Sequence, residues 1–493
     1  MSTMLRRRVR DCFLGAGIFL APTAATAHTL VVPYTLPVPF WMYLFACGAT
    51  LVLTFAALGV AATVPVPARA GSALALSDSG LGIGWVLPRP LVEVLRLSAV
   101  FCLGLTIIGG LVGSPDPGIN IGMILFWIGF LLFFNYLTVV LGNTYSFINP
   151  WRAVIEWGEA AGLPRFTGRL KYPKALAYWP AFLFYVGLIW LELMVLPVPA
   201  SLSAVLIVYS VITFAGAWLF GKDAWFGRGE VFSVFFQMVG LLAMVCYERT
   251  LDGRRFRLRL RAPLSGAVEE LPDHISLVLF VLFMLSSTTY DGIKDTGLWQ
   301  SIYWTNLLNL LQPLWDGDLA RAQALLEPGY EVYQRGGLLL SPFLYAAVYQ
   351  AVMAVTRFAT NGALSIKTLA LNFAFSVIPI AVVYNFAHYY TVLLNIVTPL
   401  PYILSDPFGR GWNLLGLTQT TEQPPLDMGG IWNTEVAVIL AGHLASVYVA
   451  HVIAVRVFPS QHIALRSEIP LLFLMVAYTF FGLFVLSLPL AIH

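Results

Sequence analysis

Charge is what this chain has least of. Asp, Glu, Lys and Arg make up 11% of its 493 residues, less than half of the ~25% usual in a soluble domain. With 59% hydrophobic residues beside that, a surface that faces water along the whole chain is excluded. Paired cysteines are missing too. Cys12, Cys47, Cys102 and Cys246 show no CxxC or other paired spacing, which excludes a disulfide framework and a thiolate metal cluster. No internal repeat or low-complexity tract interrupts the sequence, and no stretch is polar enough for a separate soluble domain. The net charge of +3 is small and says little about partners; no nucleic-acid partner is expected.

What fills the chain instead is long apolar runs, the mark of an all-α polytopic membrane protein. About ten spanning helices are expected, near 39–62, 95–113, 120–141, 176–196, 199–220, 273–291, 338–357, 366–397, 432–457 and 470–490. Ahead of them, "MSTMLRRRVRD" reads as a basic n-region, "CFLGAGIFLAP" as a short apolar h-region, and "TAATA" ends in an A-x-A pattern. Removal of this signal peptide, residues 1–27, leaves 28–493 as one multi-helix membrane domain that begins outside the cytoplasm at His28. An even number of crossings returns the C-terminus to the same side. The positive-inside rule agrees: Arg152, Arg165, Arg169, Lys171 and Lys174 follow the third span and fall inside, as does "RTLDGRRFRLRLR" (249–261). That second placement requires 230–247 not to span, so it is expected as a re-entrant or interfacial helix. The loops 292–337 and 398–431 fall outside and lean acidic, through Asp295, Asp316, Asp318, Glu327, Glu331, Asp406, Glu422 and Asp427.

Ionisable groups at membrane depth cost a few kcal/mol or more, so each one marks a candidate site. Asp291 ends the run "SSTTYDG". Asn385 and His388, in "YNFAHYYTVLL", lie three apart and share a helix face beyond Pro379. His443 and His451 lie eight residues apart, about 12 Å along one helix, too far to ligate one metal together. Each also has a plain reading: an interhelical hydrogen bond for a histidine, a cap for Asp291, and for His28 a residue that merely follows a cleavage site. Asp291, His388, His443 and His28 can all stand on the outward side, and Asp with several His is the ligand chemistry of a Zn-like divalent ion. Tyr389 and Tyr390 are candidate contacts for an aromatic substrate. So are Asp406 and Trp412 of "SDPFGRGWNLLG" (405–416), a loop that reads equally as a lid or as an ordered surface turn. On the inner side, Arg152, Arg228 and Glu230 are candidates for a buried ion pair joining the re-entrant helix to the loop after the third span, and the plain reading of the same segments is structural glue with Trp151 and Trp225 as interfacial anchors.

In order along the chain, "LPVPFW", "NPWRA", "WFGRGEVFS", "STTYDG", "NFAHYY", "SDPFGRGWNLLG", "GHLASVYVAH" and "PLLFLMVAYT" together resemble a bacterial family of integral membrane proteins, the fenitrothion hydrolases. The resemblance covers nearly the whole chain, though no single segment is a catalytic signature and no family residue roles carry over. It implies a multi-pass protein of the bacterial cytoplasmic membrane. Its implied reaction is hydrolysis of an organophosphorus triester to a nitrophenol and a dialkyl thiophosphate. A neutral triester needs no basic phosphate clamp. It needs an activated water, an electrophile on the P=S or P=O group and help for the leaving phenolate. A metal held by His388, His443 and Asp291 would supply the first two, and a lipophilic substrate would reach the site from the bilayer. A second subunit is compatible with this reading.

Two other classes fit the same residues. A transporter or permease would use intramembrane His and Asp, but visible repeats and paired broken helices are lacking. A haem or copper redox protein would pair His388 with His443 across helices. N-terminal sequencing of the mature protein is expected to begin at His28. A retained Met1 removes both the signal peptide and any terminal chelate.

Overall fold

A computed structural model describes residues 38–61, 85–250, 255–311, 319–417 and 427–488, all within one unit of the chain, Leu36–His493. The signal segment, His28, Asp316, Asp318 and Glu422 lie outside the described residues. In chain order the principal elements are α1 (Phe40–Ala61), β1 (Trp85–Val86), α2 (Arg89–Val112), α3 (Ile121–Leu141), α4 (Pro150–Ala160), α5 (Trp179–Val195), α6 (Pro199–Phe220) and α7 (Val231–Gly240). They continue with β2 (Val245–Arg249), β3 (Phe256–Leu260), α8 (Ile275–Lys294), α9 (Gly297–Leu311), α10 (Leu319–Ala359), α11 (Ile366–Phe373), α12 (Ile378–Val397), α13 (Met428–Val457) and α14 (Gln461–Ser487). Among the described residues nine helices are long and apolar enough to cross a bilayer: α1, α2, α3, α6, α8, α10, α11 with α12, α13 and α14. The segment expected at 176–196 forms α5, shorter at 17 residues.

The bundle is built around α8, 89% of whose apolar stretch is buried, with Phe280, Val281 and Phe283 fully enclosed. Peripheral helices do the opposite. α2 exposes Val94, Leu97, Phe101, Ile108 and Leu111, an apolar surface that suits lipid and not water. Because lipid tails are as apolar as leucine, helices here associate through close packing at small residues. A Cβ on Gly110 of α2 would lie 2.1 Å from Ser203 Oγ of α6, and one on Gly442 of α13 would lie 2.2 Å from Val383 of α12.

Two breaks in helical regularity have local causes. Pro379 has no N–H, so the Phe375 carbonyl loses its usual partner. The chain inserts a tight 3₁₀ turn, Ala374–Val377, and the Ile378 N–H takes that carbonyl instead. α7 spans ten residues, about 15 Å, half the thickness of a hydrocarbon core. Glu230 caps it by accepting the Phe232 and Ser233 N–H groups at 3.2 and 2.7 Å, and after Gly240 the chain turns into β2. The basic stretch 249–261 contributes β3, the middle strand of an antiparallel sheet ordered β1-β3-β2. The loop expected at 292–337 is largely helical, since α10 begins at Leu319 and runs through Pro328 and Pro342.

The inner-side candidates pair differently from expectation. Arg152 binds Glu156 and Asp223, and Arg228 binds Asp273. Glu230, fully buried, instead accepts hydrogen bonds from Asn149 and Tyr209. Trp151 and Trp225 are core residues, not interfacial anchors: Trp151 is 2% exposed and donates to Ser210 Oγ at 2.8 Å. The focus of this end is Glu156, which draws Arg96 of α2 (2.8 Å), Arg152 of α4 (2.9 Å) and Arg249 of β2 (3.2 Å) onto one carboxylate. Burial alone would raise its pKa. The Arg152 hydrogen bond and the charges of Arg152, Arg96 and Arg249 outweigh burial and hold it at about 2. A carboxyl whose pKa is depressed in the folded state stabilises above its ordinary value of 4.5 and loses that contribution as pH falls towards 2. Glu156→Gln is expected to lower stability at pH 7 by on the order of 3 kcal/mol. It should also flatten the decline in thermal midpoint between pH 5 and 3, measured in detergent.

Candidate functional site

The polar half of α8 holds the site. Ser286, Ser287, Thr288 and Thr289 make that part of the helix hydroxyl-rich, and their bonds stay local or reach adjacent helices. Thr289 Oγ1 donates to the Leu285 carbonyl at 2.9 Å and accepts from Tyr345 of α10 at 3.0 Å. Asp291 follows in the last turn, 7% exposed. A carboxylate near a helix C-terminus is opposed by the helix dipole, so it depends on neighbours. Lys294, one turn on, brings Nζ to 3.7 Å from Oδ1 and also pairs with Asp295.

The decisive neighbours come from α12. His388 Nε2 lies 2.7 Å from Asp291 Oδ2, and Tyr389 OH donates to the same oxygen at 2.8 Å. The Tyr389 hydroxyl also lies 3.1 Å from Glu192 Oε1. Glu192 stands in a wide π-helical turn, Leu191–Val195, that ends α5. Such turns recur at functional sites because they re-aim a side chain. Tyr136 of α3 donates to Asn385 Oδ1 at 2.8 Å, and Asn385 Nδ2 reaches Thr288 Oγ1 at 3.4 Å. Glu435 of α13 is also buried, and counting back from the Gly442–Val383 contact along antiparallel α12 and α13 puts it opposite residue 390, near His388.

With its Nε2 proton donated to Asp291, His388 keeps a lone pair on Nδ1. Gly292 leaves room there: a Cβ at that position would lie 3.6 Å from both His388 Nδ1 and Tyr384 OH. Tyr384 OH is buried and has no hydrogen-bond partner. The arrangement is a histidine held by a carboxylate, which orients the ring and stabilises the imidazolium, with a free nitrogen and an uncommitted hydroxyl on one side.

The sequence-derived residues thus divide. Asp291, His388, Asn385 and Tyr389 converge. His443 bonds its own helix, Nδ1 to the Ile439 carbonyl at 2.8 Å. It follows Gly442, which packs against Val383, some five residues and about 7.5 Å of helix below His388. Tyr390 packs on Phe386. Asp406 is taken up by its own loop, accepting the Arg410 and Gly411 N–H groups at 2.8 and 2.6 Å. Trp412 of that loop is 52% exposed and meets Phe408 edge-on. Among the described residues no three His, Cys, Asp or Glu side chains are grouped to hold a metal ion. Of the four expected donors, Asp291 and His388 meet, His443 stands apart and His28 lies outside the described residues, and no step below passes through a metal.

Sequence reasoning missed Glu192, Lys294, Glu435 and Tyr136. The signal for the acids was available: Glu192 is the one acidic residue in the apolar run 176–196, and Glu435 lies just inside 432–457. Comparison with protein-family models, characterised proteins and solved structures finds no match to this chain.

Gly292 is a close-packing point between α8 and α14. A methyl added in Gly292→Ala would lie 2.9 Å from Val485, and the variant is expected to lose about 1–3 kcal/mol of stability, read as a lower thermal midpoint in detergent. Adding Val485→Ala removes that contact and should restore most of the loss. A midpoint unchanged in Gly292→Ala would show that the two helices do not pack closely there.

Proposed function

We propose that this chain is a membrane-embedded hydrolase that cleaves a lipophilic organophosphorus triester, such as fenitrothion, using the His388–Asp291 dyad as general base. The carrying observation is the 2.7 Å contact between His388 Nε2 and Asp291 Oδ2 at the buried end of α8. The ordered set of segments that resembles the fenitrothion hydrolases supports the choice of substrate. In this reading His388 Nδ1 takes a proton from water as its oxygen attacks phosphorus. The P–O(aryl) bond breaks and the nitrophenolate leaves. Asp291 stabilises the imidazolium, which then gives up its proton to regenerate the base. Tyr384 OH, which borders the same space at Gly292, can donate to the P=S or P=O group or to the leaving oxygen. In this reading the dyad supplies the activated water, one of the two roles expected of a zinc-like ion.

The proposed topology has ten crossings, the nine long helices and α5, with α7 re-entrant. At 17 residues α5 covers roughly 26 Å, close to the hydrocarbon thickness. The basic β2–β3 side faces the cytoplasm of a bacterium, and the Asp291 end faces outward. Substrate enters from the outer leaflet, past the Phe386–Tyr390 pair, which offers rings for the aryl group.

Removing a general base lowers rates by about 10²–10⁴-fold. His388→Ala and Asp291→Asn are each expected to lose that much nitrophenolate release from a nitrophenyl phosphotriester, with membrane insertion and expression intact. Activity retained in His388→Ala would dispose of the dyad.

A further inference from the structure

The basic end of the bundle holds a cavity of about 360 Å³ where α4, α7 and the β2–β3 pair meet, a volume in the range of small-molecule sites. Its polar walls come from separate parts of the chain. Asn143 lies between α3 and α4, Arg152 in the first turn of α4, Gln237 on α7, Arg249 on β2 and Arg261 just after β3. Asp223 and Glu270 are the acids among the lining residues.

The three arginines are not held alike. Arg261 is fixed by backbone, donating from Nε to the Ala243 carbonyl at 3.0 Å and from Nη2 to the Gly240 carbonyl at 2.7 Å. Arg152 and Arg249 instead bind the same oxygen, Glu156 Oε1, at 2.9 and 3.2 Å, while Arg96 takes Oε2 at 2.8 Å. Two guanidinium groups thus stand side by side on one carboxylate that a third arginine shares. Among the described residues Arg249 makes no other hydrogen bond, though its guanidinium also lies 5.2 Å from the Phe256 ring centre. Arg152 adds only Asp223, whose side chain is 78% exposed. Both therefore keep N–H donors to spare at the cavity wall. Burial first and the charge of Arg152 second lower the Arg249 pKa, and Glu156 does not make up the difference.

An arginine fork suits carboxylate and phosphate oxygens. A tetrahedral phosphate has oxygens in more than one plane, so it can accept from two neighbouring guanidinium groups at once. The cavity is larger than a bare phosphate needs, and Asn143, Gln237 and Tyr247 line the remainder with hydrogen-bonding groups. We propose that this cavity binds an organic phosphate, with Arg152 and Arg249 holding the phosphate group and Asn143 and Gln237 the polar group attached to it. The phosphate belongs either to a soluble phosphomonoester or to the headgroup of an anionic phospholipid, and the chemistry at the arginines is the same for both. Binding here does not depend on the hydrolytic reading, since it involves neither His388 nor Asp291.

The test uses the full chain purified in detergent at fixed ionic strength, with glycerol 3-phosphate and short-chain phosphatidylglycerol as probes. Binding is read by calorimetry and by slower alkylation of Cys246, a free cysteine in the cavity wall, followed by mass spectrometry. Binding of glycerol 3-phosphate identifies a soluble ligand, and binding of phosphatidylglycerol alone identifies a lipid headgroup. Arg249→Lys keeps the charge but loses the planar fork, and it should weaken binding about tenfold. Gly227→Glu is the second variant. It adds a carboxylate to a lining position where a Cβ meets no atom within 4 Å, so the fold is kept while an anion is repelled, again by about tenfold. Failure of both probes to bind the folded wild-type protein, or affinity unchanged in either folded variant, overturns the site.

Discussion

A charge that is removed from water must find its partners within the protein, and Asp291 is where this constraint bears hardest. It sits on the most enclosed helix of the bundle, in the last turn, where the helix dipole opposes it. Its partners come from the next turn of α8 and from α12, with α5 joined through Tyr389 and α13 close by. Helices that lack a hydrophobic force between them in lipid are thereby tied at one depth by hydrogen bonds. The apolar half of α8 packs, and the polar half connects.

The two ends of the bundle handle charge in opposite ways. At the Arg96 end three arginines converge on the single carboxylate of Glu156, which is saturated with donors and reads as structural. At the Asp291 end four carboxylates, Asp291, Asp295, Glu192 and Glu435, share one histidine and one lysine, while the Tyr384 hydroxyl stays uncommitted. An excess of acids with too few bases is poor glue. The proposed function rests on the one close pair within that excess, His388 with Asp291.

Much of this architecture was legible from residue type alone. Scarcity of charge and runs of some twenty apolar residues dictate helices, because in hydrocarbon each backbone N–H and C=O must be satisfied within its own segment. The same economy of charge marked Asp291, His388 and Asn385 as unusual, and they do converge. The break before Pro379 follows from residue type as well, since proline has no N–H to donate. The reading fell short where one residue has several possible partners. Arg152 was assigned towards Glu230 but binds Glu156 and Asp223, and Trp151, a typical interfacial residue, is buried instead. Composition cannot tell which of several nearby acids an arginine reaches.

The sequence by itself therefore determined the helical membrane class, the approximate position of each long helix and the short list of polar residues that have to be explained. Only the tertiary structure decided the pairings. His388 meets Asp291 and His443 does not, because α12 and α13 pack closely at Gly442 and Val383, and the level of that contact sets His443 below the cluster. Glu192 joins through a π-turn at the end of α5 that no local pattern announces. Periodicity is a property of one helix, whereas depth and rotation of one helix against another are set by how small and large side chains interlock between them.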